Sequence, residues 1–145
     1  MDLRQITPGY SVTPQIDPAD VATLAAMGVK TLICNRPDAE NPPALQAAAI
    51  QAEAEAHGID FVFNPFTGPT MTQDHIDEQA DAIADSDGPV VAYCASGNRS
   101  TVVWAFGAAG AVPVDSIIQT ATAHGYAFEH LRPALTAIAA GHPDS

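Results

Sequence analysis

Positive charge is scarce in this sequence: five Lys and Arg residues stand against 17 Asp and Glu, for a formal net charge of −12. So acidic a chain excludes nucleic acid and anionic membrane as expected partners, because both are bound through clustered basic side chains. Cysteine is nearly absent. Cys34 and Cys94 are the only two, too few for a disulfide framework, and no Cys/His cluster has zinc spacing. No metal and no other cofactor is expected. The five histidines (His57, His75, His124, His130 and His142) are scattered, and three fall near expected helix ends, where they suit carbonyl capping. No run approaches the ~20 apolar residues of a membrane span. Met1-Asp2-Leu3-Arg4-Gln5 lacks the basic and apolar regions of a signal peptide, so a cytoplasmic location is the expectation. Repeats and low-complexity linkers are also missing, and residues 1–145 are expected to form one domain.

The shortage of cations has a positive side. An anionic substrate must be met by a local basic group rather than by the general field, and only Arg4, Lys30, Arg36, Arg99 and Arg132 are available. Arg99 sits in the most informative stretch, Val90-Val91-Ala92-Tyr93-Cys94-Ala95-Ser96-Gly97-Asn98-Arg99-Ser100-Thr101. An apolar strand runs into a cysteine, then a short polar loop, then an arginine that opens a helix. Such a loop aims backbone N–H groups inward, and the helix dipole adds partial positive charge. A cysteine at the lip of that cup is expected to be a thiolate near neutral pH. The planar fork of Arg99 can grip an oxyanion through two parallel hydrogen bonds. Ala95, Ser96, Gly97, Asn98 and Ser100 complete the expected anion-binding loop. Ser100 is read as a donor to the thiolate and as a helix-start residue, and Gly97 as the residue that permits the tight turn.

Along the chain, short apolar runs alternate with well-punctuated helical segments. Asp17-Pro18-Ala19-Asp20 reads as a helix start and Gly28 as its stop. Strands are expected at 29–34, 59–63 and 90–93, and helices at 43–57, 72–84, 99–109, 115–124 and 128–140. Residues 3–6 and 11–14 suggest an edge hairpin. The alternation implies an α/β fold, a mostly parallel central sheet flanked by helices. In such a sheet the loops after the strands converge on one edge, where ligands bind. Residues 35–42, 64–71 and 94–100 are therefore expected around one site, with Arg36 on its rim.

The chain resembles the phosphatase-like domain of the beta-lactamase hydrolase-like protein family, relatives of the dual-specificity protein tyrosine phosphatases. The likeness runs from about Ile6 to Leu135. It rests on Ser11-Val12-Thr13-Pro14-Gln15-Ile16, Asn35-Arg36-Pro37-Asp38-Ala39-Glu40, Gly88-Pro89-Val90, the Cys94 loop with Trp104, and His124-Gly125-Tyr126. The resemblance implies a protein-tyrosine-phosphatase-like fold, with Cys94 as nucleophile and Arg99 as the group that binds the transferred oxyanion. The chain departs from the pattern at Ala95, where the family often carries arginine, and at Tyr93, where many relatives of the superfamily carry histidine.

The cysteine loop alone is equally similar to that of rhodaneses, which carry a persulfide. Four residues separate Cys94 from Arg99, where phosphatases of the superfamily have five. A smaller cup suits a sulfur atom better than a phosphoryl group. Residues 64–70 contain no carboxylate, although dual-specificity phosphatases place a general acid in that loop. Proton transfer to a leaving group is worth ~10²–10⁴ in rate. Asp38 is the only substitute the sequence offers, and its first expected role is to pair with Arg36; Glu40 has the weaker claim on the site. Cys34, which could resolve a Cys94 persulfide, is read first as a sheet core residue, and Trp104 and Phe106 as core.

The sequence therefore ranks sulfane-sulfur transfer through a Cys94 persulfide first, with a small anionic, thiol or persulfide substrate. Phosphomonoester hydrolysis through a phosphocysteine is the alternative, with Cys94, Arg99 and Asp38 as its catalytic set. A non-catalytic anion- or protein-binding module comes third.

Overall fold

Residues 1–141 are described by the computed structural model, and His142 lies outside them. Five strands form one sheet: β1 (Arg4–Thr7), β2 (Tyr10–Thr13), β3 (Thr31–Cys34), β4 (Asp60–Phe63) and β5 (Val90–Tyr93). Their spatial order is β1-β2-β5-β3-β4. Only β1 runs antiparallel to its neighbour; the other pairings are parallel. The expected hairpin at the N-terminus is present, and β2 joins the parallel sheet beside β5. β3 and β5 are buried along their whole length, which is why Leu-Ile-Cys and Val-Val-Ala-Tyr read as continuous apolar runs.

The helices are α1 (Asp20–Ala26), α2 (Ala47–Ala56), α3 (Gln73–Asp85), α4 (Asn98–Ala108), α5 (Val114–Ala123) and α6 (Arg132–Gly141). Strand alternation divides the core in two. Leu32, Cys34, Val91 and Tyr93 pack with Val21 and Leu24 of α1 and with Ile50 and Ala54 of α2. Val12, Ile33 and Ala92 pack with Ala105 of α4, Ile117 and Ala121 of α5 and Leu135 of α6. No helix among the described residues is long and apolar enough to cross a membrane.

Three helix boundaries differ from expectation. At the first helix the Asp17 N–H donates to Asp20 Oδ2 (2.9 Å) and the Ala19 N–H to Asp17 Oδ1 (3.0 Å). These two bonds close a turn, and the α-helix follows from Asp20. Residues 43–57 are not one helix: a 3-10 turn at Pro43–Leu45 ends in extended Gln46, and α2 begins at Ala47. The stretch 128–140 likewise divides into a 3-10 turn at Glu129–Leu131 and α6.

The parallel order brings the segments that follow β2, β3, β4 and β5 to one edge. Because β1 is antiparallel, its start lies at that edge too, with Arg4 opposite Val12.

Candidate active site

Cys94 follows β5, a central strand flanked on both sides, and it is fully buried. It lies at the base of the cup, not at the lip the sequence suggested. The loop turns back over it: Gly97, in the left-handed region at φ 90°, is the N-cap of α4, and its N–H donates to Cys94 Sγ at 3.1 Å. Thr101 secures the turn by donating both its N–H (3.1 Å) and its hydroxyl (2.8 Å) to the Gly97 carbonyl. Ala95, Ser96 and Asn98 are exposed, and Ser100 is buried. Gly97 is required twice over. Its φ disfavours any side chain, and a Cβ there would collide with the Tyr126 hydroxyl.

Arg99 lies half-buried at the first turn of α4. Its Nη2 and Nη1 donate to the two carboxylate oxygens of Glu40 at 2.7 and 2.9 Å, and Nη1 also donates to the Phe66 carbonyl at 3.1 Å. Arg36, after β3, approaches Glu40 from the other side, its Nε donating to Oε1 at 3.2 Å and its Nη2 to the Glu40 carbonyl at 3.2 Å. Gln15 Oε1 accepts from Arg36 Nη1 at 3.3 Å. Arg99, first, and then Arg36 hold the Glu40 carboxyl below its ordinary range. Glu40, and after it the neighbouring Cys94 sulfur, hold the Arg99 guanidinium above its ordinary value.

The expected Asp38–Arg36 pair is not formed. Arg36 takes Glu40, four residues on, while Asp38 Oδ1 accepts the Ala47 N–H at 2.8 Å and caps α2. Glu40, given the weaker claim from sequence, is the carboxylate at the cysteine loop. Ser100 is also redirected. Its hydroxyl donates to Asn35 Oδ1 at 2.9 Å, so its single proton does not go to the thiolate. Asn35 belongs to a buried network under the loop. Gln79 Nε2 donates to Asn35 Oδ1 (3.1 Å) and to the Tyr10 hydroxyl (3.0 Å). Gln79 Oε1 accepts from Asn35 Nδ2 (2.8 Å) and Asn64 Nδ2 (3.0 Å). Tyr10 in turn donates to the Ser100 carbonyl at 2.7 Å.

Cys34 packs on the α1–α2 side of the sheet, its thiol donating to the Arg36 carbonyl at 3.3 Å. Burial, first, raises its pKa. Tyr93 shares that face with a buried hydroxyl that has no hydrogen-bond partner among the described residues. Trp104 and Phe106 are half-buried and pack against the core, and Trp104 borders a cleft of about 200 Å³ between α3 and α4 with Ile83 and Gly107. Among the described residues no three His, Cys, Asp or Glu side chains gather as metal ligands would. Sequence reasoning missed Gln79 and the part played by Asn35, and met Tyr126 only as part of a resemblance. The one legible signal was the i, i+4 spacing of Arg36 and Glu40.

Similar proteins share this architecture. A beta-lactamase hydrolase-like protein of Agrobacterium fabrum is 34% identical over 110 residues, covering 74% of this chain and 26% of the relative. The chain therefore spans about a quarter of that protein's length. A structure from Neisseria meningitidis Z2491, described as a "putative phosphatase", is 32% identical and superposes with a TM-score of 0.83 over 95% of this chain and 99% of that one. Tk-PTP in its active form shares the fold at 12% identity, with a TM-score of 0.68 over 94% and 95% of the two chains. Residues 2–111 match a family outright. With its mixed sheet, the Cys94 loop at the sheet edge and these relatives, the chain belongs to the family described as the beta-lactamase hydrolase-like protein, phosphatase-like domain.

Proposed function

We propose that the chain is a phosphatase that uses Cys94 as its nucleophile and acts on phosphate esters whose leaving groups depart as stable anions. The observation that carries this reading is the Gly97 N–H donated to Cys94 Sγ at 3.1 Å, at the start of α4, whose first turn carries Arg99. An amide and a helix N-terminus stabilise a thiolate. In the reaction the sulfur attacks phosphorus, an S–P bond forms and the ester P–O bond breaks. The leaving oxygen takes the bonding electrons. Arg99 balances charge on the phosphoryl oxygens, and water then cleaves the phosphocysteine to phosphate and free thiol.

The restriction on leaving group follows from the missing acid. Residues 64–70 hold no carboxylate, Asp38 is engaged at α2, and Glu40 is held ionised by two arginines. An aryl oxide leaves without a proton; an alkoxide does not. The same features favour a second reading, sulfane-sulfur transfer, in which Cys94 takes the outer sulfur of thiosulfate and sulfite leaves with the electrons of the broken S–S bond. The four-residue spacing of Cys94 and Arg99 is its specific support.

The deciding experiment offers aryl phosphate and thiosulfate to the wild type and to Cys94→Ser. Phosphate release that Cys94→Ser abolishes is the expected result. A Cys94 persulfide from thiosulfate, with no phosphate released, would replace the first reading by the second. No turnover of either would leave the non-catalytic module.

A further inference from the structure

The peptide that joins Ser96 to Gly97 is held on both of its faces. Its N–H, from Gly97, donates inward to Cys94 Sγ at 3.1 Å. Its carbonyl, from Ser96, accepts the Tyr126 hydroxyl from outside at 3.2 Å. A trans peptide is planar, with C=O and N–H pointing in opposite directions. Fixing the oxygen therefore fixes the direction of the N–H.

We propose that Tyr126 is a positioning residue of the Cys94 loop: its hydroxyl holds the Ser96 carbonyl outward and so aims the Gly97 N–H at the nucleophilic sulfur. The inference rests on the reading of Cys94 as nucleophile.

Tyr126 is itself held from three directions. Its N–H donates to the Ala121 carbonyl at 2.9 Å, tying it to the end of α5. Gly125, at φ 88°, makes the reversal that brings the ring back to the loop. Arg4 of β1 lies over the ring, 5.1 Å from its centroid, and is anchored by donating Nη1 to the His124 carbonyl at 2.6 Å. The space for the hydroxyl exists because residue 97 has no side chain. β1 and the end of α5 thus both hold the ring whose hydroxyl fixes the Ser96 carbonyl.

The ionisable groups that sense Cys94 are Arg99 at α4, Tyr126 after α5, Tyr10 of β2 and Cys34 of β3. Glu40 reaches it through Arg99, and Arg4 through Tyr126. Burial, first, pushes the Tyr126 phenol above its ordinary value, so it stays neutral across the assay range. Removing its hydroxyl deletes a hydrogen bond without changing charge.

The test compares wild type, Tyr126→Phe and Arg4→Leu. Cys94 alkylation by iodoacetamide is followed against pH, because the midpoint reports the thiol equilibrium independently of access. Aryl phosphate kinetics are measured alongside. In Tyr126→Phe the Cys94 acid dissociation constant should fall about five-fold, the size of one hydrogen bond. The kcat should fall with it while KM changes less than about two-fold, since the contact acts on the nucleophile. Arg4→Leu, which loosens the ring but keeps the hydroxyl, should move both in the same direction by less. It carries the test if Tyr126→Phe does not fold. Folded variants whose alkylation profile matches the wild type would overturn the proposal and leave Tyr126 as packing. A wild type that hydrolyses no phosphate would overturn the phosphatase reading instead, while the alkylation profile would still report on Tyr126.

Discussion

Glu40 closes both of its carboxylate oxygens on Arg99, at 2.7 and 2.9 Å, from a loop 59 residues earlier in the chain. A fork-to-fork pair of this kind fixes the plane of the guanidinium as well as its position. Glu40→Gln keeps the shape but loses the charge and one acceptor oxygen. In the phosphatase reading, aryl phosphate kcat should fall about 10–100-fold, the scale of a misplaced catalytic group. Stability should change by only about 0–1 kcal/mol, because the pair is partly exposed. Unchanged kcat would mean that Arg99 needs no external support.

The same pair predicts a pH dependence. Arg99 and then Arg36 hold the Glu40 carboxyl below its ordinary value, so its folded value lies under its unfolded one. Its contribution is therefore full above the ordinary carboxylate range and is lost as pH falls through the depressed folded value. The acid limb of the pH–rate profile should contain this loss, and Glu40→Gln should remove it. An identical acid limb in the variant would show that another group titrates there.

Arg99→Lys should be far from conservative. Lysine keeps the charge but cannot bridge two carboxylate oxygens and the Phe66 carbonyl at once. Activity should drop about 10²-fold or more, with the melting temperature little changed. A near-normal rate would reduce Arg99 to a source of general positive potential.

Asp38→Ala separates structural from chemical roles. Losing the bond to the Ala47 N–H should cost about 1 kcal/mol, as for other helix N-terminal caps. Rates measured across esters of differing leaving-group acidity should decline uniformly or not at all. A loss concentrated on poor leaving groups would make Asp38 a general acid despite its place at α2.

The contrast between Asp38 and Glu40 also shows where the sequence becomes mute. The strands and the glycine-marked turns were legible because they depend on local pattern, as Gly28 and Gly58 illustrate, both at positive φ. The convergence of the Arg36 and Cys94 segments followed from parallel topology alone. Which carboxylate would face the cup did not. Asp38, Ala39 and Glu40 form a 3-10 turn, and with about three residues per turn, side chains two apart point to different sides. One must turn to α2 and the other to Arg99, and composition does not say which. The partner of Ser100 was hidden for a related reason: Asn35 lies 65 residues away and becomes its neighbour only when β3 pairs with β5. Tyr126 was hidden as well, since its role depends on a peptide orientation no side-chain pattern encodes.

Gln79 is the strictest test of the network that supports the loop. It is fully buried, and all four of its hydrogen-bonding positions are filled, by Asn35 twice, Asn64 and Tyr10. Gln79→Leu would strand polar groups on three other elements, each costing about 1–3 kcal/mol when left unpaired in the interior. The total should reach about 3 kcal/mol or more, visible as a large fall in the denaturant midpoint at unchanged slope. Gln79→Glu is the sharper variant. A carboxylate there would be buried with one oxygen against Asn35 Oδ1 and the Tyr10 hydroxyl oxygen, both of which now accept from the Gln79 amide. Its folded pKa must then lie above its unfolded one, so the variant's deficit is largest at neutral pH. The deficit should shrink as pH falls toward about 4, where the protonated acid can again donate one hydrogen bond. A deficit that stays constant between those limits would mean that the site admits water, and that the loop's foundation is softer than its bonding pattern implies.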